Sequence, residues 1–87
     1  MPIVDDQGVF AFADLGWPDL WTVGECDGLL KYSDAGVLRR EKLRQERIER
    51  AGYEVVRMTW HQVTREPERT VARIRDAFAR ARRRRSA

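Results

Sequence analysis

The sequence of 87 residues holds one cysteine, Cys26, and one histidine, His61. A lone cysteine excludes an internal disulfide and fits a reducing compartment. With so few soft ligands, a structural zinc site is excluded as well. No apolar run approaches the roughly 18 residues of a membrane span, and no signal-peptide pattern opens the chain. The expected address is the cytoplasm, with no membrane partner. A glycine-rich phosphate loop and an internal repeat are both missing. The length excludes a TIM barrel or a full dinucleotide-binding fold. Lysine is scarce, two against 15 arginines.

What is present is charge, unevenly spread. Residues 1–34 hold six Asp and one Glu against one Lys, a net of −6, while residues 35–87 hold sixteen basic side chains against seven acidic, a net of +9. An acidic cluster facing a basic half suits a metal-dependent enzyme acting on a polyanion. Two halves that simply neutralise each other would read the same. Apolar residues make up 43% of the chain, a globular composition.

Val9–Leu15 has the residues of a strand and ends at Gly16-Trp17-Pro18-Asp19, a turn signal. Residues Leu20–Asp27 read as its hairpin partner, stopped by Gly28, with a loop from Leu29 to Gly36. Val37–Ala51 is rich in helix formers and closes on Gly52. Glu41–Arg44 and Glu46–Arg50 are spaced as helical charge pairs. Tyr53–Trp60, with Val55 and Val56 at its centre, predicts a third strand. Pro67 opens a second helix to about Arg83, with Val71, Ile74, Phe78 and Ala81 on one face. The arginines at 82–85 read as a frayed basic tail, residues 82–87, after a single domain over 1–81. The order β-β-α-β-α requires a crossover between strands two and three, and so a mixed α/β sheet. Three strands and two helices make a thin layer. A homodimer or an N-terminal partner domain is the expected complement.

Asp14 sits near the end of the first strand; Glu25 and Asp27 are two residues apart on the second and share a face. The hairpin would set Asp14 opposite Glu25, where like charges repel. Three carboxylates at one sheet end call for a counter-ion, and their oxygens suit Mg²⁺ or Mn²⁺. The plainer reading of each is a hairpin cap, a solvent-facing acid and an Asp-Gly turn.

Asp14, then Glu25-Cys26-Asp27-Gly28, then Lys31-Tyr32, resembles the nuclease core of the PD-(D/E)XK superfamily. The branch it is similar to is the uncharacterised group related to very-short-patch repair endonucleases. Glu41, Arg44, Ile48 and Gly52, followed by Val55-Val56-Arg57, continue the pattern, so the resemblance covers about residues 9–60. It implies a restriction-endonuclease-like fold. Asp14, Glu25 and Asp27 would be metal ligands, and Lys31 would stand near the scissile phosphate as a cation for the transition-state charge. Glu41 would face the site, or pair with Arg44. Asp27 stands where the superfamily has lysine. The superfamily core also opens with a helix and a further strand, and Met1–Gly8 is too short for both, so the resemblance implies a version short at its N-terminus.

Cys26, between the two acids, is expected to point into the opposite face as a small core residue. His61 reads as a surface or helix-start position, or as a proton shuttle. Trp17 and Trp21 flank the turn and suit core packing, a partner surface or base stacking. The arginines favour bidentate phosphate contact. Arg39, Arg40, Arg44, Arg57, Arg82 and Arg83 are the expected nucleic-acid contacts, with DNA the expected partner. Two functional classes remain open: a Mg²⁺- or Mn²⁺-dependent hydrolase of DNA phosphodiesters, active or decayed, and a catalytically silent nucleic-acid-binding or protein-interaction module.

Overall fold

The computed structural model describes residues 1–27 and 35–86. Its elements are β1 (Pro2–Asp5), β2 (Gly8–Phe12), β3 (Leu15–Trp17), a 3₁₀ turn (Pro18–Leu20), β4 (Thr22–Asp27), α1 (Ala35–Arg50), β5 (Glu54–Thr59), α2 (Trp60–Arg65) and α3 (Pro67–Ser86). The protein is a mixed α/β fold. β3 pairs antiparallel with β4, and β4 pairs parallel with β5 across α1, giving the mixed sheet the crossover required.

The N-terminal half departs from the expected single strand. β1 and β2 form a separate two-stranded antiparallel sheet, turning through residues where Asp5 Oδ1 accepts from the Gln7 amide at 2.9 Å. Met1–Gly8 therefore supplies a strand, and the order becomes β-β-β-β-α-β-α-α. The run Val9–Leu15 is not one strand: Met1 and Ala13 exchange backbone bonds at 3.0 and 2.8 Å, extending the β1–β2 ladder by one pair, and the chain bends at Asp14 before β3. Gly16 and Trp17 belong to β3, so the turn falls later, with Trp21 closing it in the left-handed region at φ 49°. Gly16 also makes way for Met1: a Cβ there would collide with the Met1 side chain.

α1 packs on one face of β4–β5 and α3 on the other. Val23 and Ile48 join Ile3, Ala11 and Ala13 in one cluster; Val56, Met58 and Ala77 form the second, with Trp17, Val63 and Ile74 against it. Four consecutive residues of β4, Thr22 to Glu25, are buried, as expected of a strand covered on both faces. Gly52, at φ +104°, lets the chain leave α1 and start β5, a conformation a side chain disfavours. α2 begins with a reciprocal cap between Thr59 and Gln62.

α3 runs antiparallel to β5. Arg73 Nη2 donates to the Arg57 carbonyl at 2.5 Å near one end, and Arg84 Nη1 donates to the Tyr53 carbonyl at 3.3 Å near the other. Three of the four expected residues face inward, Ala81 buried, Ile74 on the second cluster and Phe78 on Trp17; Thr70 and Ala77 are buried with them, and Val71 is exposed. Thr70 is buried because its hydroxyl donates to the Gln62 and Glu66 carbonyls at 2.8 and 2.9 Å. The expected frayed tail is helical through Ser86. Arg84 reaches Glu54 at 3.0 Å and the Glu49 carbonyl at 3.1 Å, and the Arg85 guanidinium lies 3.3 Å from the Trp21 ring centroid. Among the described residues no helix is long and apolar enough to cross a membrane.

Candidate functional site

Strand alternation puts Val23, Glu25 and Asp27 on the α1 face of β4. Parallel register sets Glu25 beside Arg57 and Asp27 beside Thr59. This is the carboxyl end of the parallel pair, the end at which α/β sheets form ligand crevices. Glu25 is 7% exposed. Arg44 Nη1 stands 2.9 Å from its Oε1, but the alignment makes no hydrogen bond, and that buried oxygen has none among the described residues. The same guanidinium donates through Nη2 to the Phe12 carbonyl at 3.0 Å.

Asp27 is held differently. Arg57 Nη1 donates to its Oδ1 at 2.6 Å, Arg57 Nε donates to Gln45 Oε1 at 2.7 Å, and Arg57 Nη2 lies 3.7 Å from Glu41 Oε2. Glu41 thus faces the site, and pairs with Arg57 rather than with Arg44. On the same helix Gln45 donates to Glu49 at 3.0 Å. Asp14 lies in the bend between β2 and β3 rather than in a strand. Extending the Leu15–Gly24 register places it opposite Glu25, and its Oδ2 accepts from the Cys26 amide at 2.9 Å.

The three acids therefore gather at one strand end, each with its own partner. Among the described residues no three His, Cys, Asp or Glu side chains stand together closely enough to hold a metal ion in this arrangement. Lys31 lies outside the described residues. A groove of about 600 Å³ opens beside Asp27, Glu41, Gln45 and Arg57, with Leu38 and Lys42 on its wall.

Cys26 is exposed rather than in the core. Burial of its immediate surroundings pushes its thiol up from the ordinary value, and Asp14, Glu25 and Asp27 push it the same way. That thiol reports a negative field at this strand end.

The expected nucleic-acid contacts divide between two poles. Arg39 and Arg40 are exposed on the first turns of α1, near the acids; Arg44 and Arg57 are the acids' own partners. Arg82 and Arg83 are exposed on the last turns of α3, at the opposite end of the sheet, roughly 20 Å away along a six-residue strand. Trp17 meets Phe78 edge-on at 5.2 Å, and Trp21 stacks on Tyr53 at 4.9 Å, so both are packed. The indole that does face solvent is Trp60, 74% exposed and next to the exposed His61. The Thr59–Gln62 capping spacing was the sequence signal that would have placed both on a helix start.

Compared with models of known protein families, with curated proteins and with solved structures, the chain matches none. The reading of the site rests on its own residues.

Proposed function

We propose that the chain is a restriction-endonuclease-like domain that hydrolyses DNA phosphodiester bonds with a divalent cation, Asp14, Glu25 and Asp27 forming the acid cluster. The observation that carries this reading is Glu25: a carboxylate buried at the carboxyl end of a parallel strand pair, with an oxygen that Arg44 approaches at 2.9 Å but that receives no hydrogen bond among the described residues. Native proteins rarely leave such an atom unpaired without a use for it. The donor set consists of hard oxygens, which fit Mg²⁺ or Mn²⁺.

When bound, such an ion polarises a phosphate and lowers the pKa of an attacking water. The chain's own residues do the rest. Glu25, fixed in the sheet, holds a ligand oxygen in a dry position. Asp27 flanks it on β4, and Asp14 flanks it from the bend before β3, held by the Cys26 amide. Lys31 is the proposed cation for charge developing on the scissile phosphate. Arg39 and Arg40 grip flanking phosphates without reading bases.

Nicking of supercoiled plasmid in Mg²⁺ or Mn²⁺ tests this. The wild type is expected to nick, Glu25→Ala and Asp27→Ala to lose nicking, and Lys31→Ala to lose nicking while keeping metal binding. An inactive wild type that also ignores both ions in a calorimeter overturns it. A second reading, a silent nucleic-acid-binding module, is favoured by Arg44 and Arg57, which already neutralise two of the acids. In that case DNA binding is indifferent to both ions.

A further inference from the structure

We infer that Arg44 is the resident counter-ion of Glu25 and sets the affinity with which this site takes a divalent cation. The inference rests on the metal-dependent reading above and adds the residue that tunes it.

A buried carboxylate needs a neutralising partner, since an unpaired one is strongly disfavoured. α1 supplies Arg44, with Nη1 at 2.9 Å. Yet among the described residues Oε1 receives no hydrogen bond. On the other side of the guanidinium Nη2 donates to the Phe12 carbonyl at 3.0 Å. With Nη2 held there, the fork cannot meet Glu25 through both prongs, so the pair lacks the two parallel bonds of the strongest Arg–carboxylate pairs.

Asp27 gives the contrast. Its contact with Arg57 is a hydrogen bond of 2.6 Å, and Arg57 is further fixed by Gln45. Of the two acid–arginine pairs, Glu25–Arg44 is the one held by charge alone. The Arg44 side chain is 28% exposed, so its guanidinium can turn to water while the carboxylate stays in place. Arg44 thus guards the metal-free protein against an uncompensated buried charge, and at the same time competes for the oxygen a cation would take.

The test is calorimetric titration of the full chain with MnCl₂, with folding followed by circular dichroism. Arg44→Gln is expected to bind Mn²⁺ about five- to tenfold more tightly than the wild type, the scale of one partly buried ion pair. Arg44→Lys keeps the charge and is expected to bind like the wild type. Arg44→Met retains the packing of the stem and gives the same comparison where the Gln variant does not fold. Glu25→Gln is expected to abolish binding in every background. Wild-type binding that Arg44→Gln and Arg44→Met leave equal or weaker overturns the role of Arg44 and leaves the metal reading standing. Absence of Mn²⁺ binding in the wild type and in all Arg44 variants overturns the metal reading, and this inference with it. Binding seen in the Arg44 variants alone supports Arg44 as the competitor for that oxygen, and with an inactive wild type it overturns the proposed hydrolysis.

Discussion

Glu25 and Arg57 are register partners across the parallel pair β4–β5, yet neither pairs with the other. Arg57 reaches along to Asp27 at 2.6 Å, and Glu25 is met from above by Arg44 of α1. The acids are thereby neutralised separately, and a change at one carboxylate leaves the other's partner in place.

Glu25→Gln in metal-free buffer is expected to lower the unfolding free energy by about 1–3 kcal/mol, because Arg44 is left without its counter-charge. Asp27→Asn is expected to cost less, about 0.5–1.5 kcal/mol, since Arg57 keeps Gln45 and the Asn oxygen still accepts. Urea denaturation of the two variants side by side checks the order.

The arginines of the last helical turn are expected to divide by contact. Arg84→Ala removes donors to Tyr53, Glu54 and Glu49 and is expected to cost about 1–2 kcal/mol. Arg83→Ala is expected to stay within about 0.5 kcal/mol, as exposed substitutions do. Equal melting of the two variants would remove the clamp from the account of stability.

Asp5 gives a pH dependence with a definite sign. The hydrogen bond from Arg47, at 2.8 Å, and that from the Gln7 amide hold its carboxyl below the ordinary 3.8. A group depressed in the folded state contributes stability above its unfolded value and loses it as pH falls through the folded one. The stability difference between the wild type and Asp5→Asn is expected to be constant from pH 7 to about pH 5, and to shrink below 3.8. A difference unchanged down to pH 2.5 would contradict the pairing.

Cys26 is expected to be accessible but slow. Its raised pKa leaves less thiolate at pH 8 than an unperturbed cysteine has, so alkylation by iodoacetamide lags behind that of a free peptide thiol. Asp27→Asn, by removing one of the charges responsible, is expected to speed it. An unchanged rate in that variant would show that the local field is not set by this acid.

Much of the sheet and both long helices were legible in the sequence. Gly52 and Pro67 are backbone punctuation with local causes, and Val55-Val56 has no comfortable place outside a strand. Other features depended on partners far along the chain. β1 is four residues long and reads as a strand only once Ala11 is opposite Ile3. The Met1–Ala13 pair that ends the β1–β2 ladder joins residues far apart along the chain, which no local pattern announces. The face of α3 was legible through Ile74, Phe78 and Ala81, but not its first turn, where Thr70, polar on any scale, is buried through its two hydroxyl bonds and Val71 is exposed. The acids were legible by type and spacing. Their partners were not, since Arg44 and Arg57 reach them only when α1 lies across the sheet. Arg84 and Arg85 were hidden in a run whose members look alike and act differently.

The hairpin β1–β2 shares no strand pairing with the three-stranded sheet. Arginines of α1 tie it down: Arg47 to Asp5, with its guanidinium 4.1 Å from the Phe10 ring centroid, and Arg44 to the Phe12 carbonyl. Since Arg44 also touches Glu25, the mooring of the hairpin depends on the charge at the acid end of β4. Whatever draws Arg44 away from Glu25 also tugs on the free edge of a small, separate sheet, so the hairpin works as a tell-tale for the state of a carboxylate that solvent hardly touches. The amide signals of Phe12 and Ala13 are where a spectroscopist would watch that carboxylate.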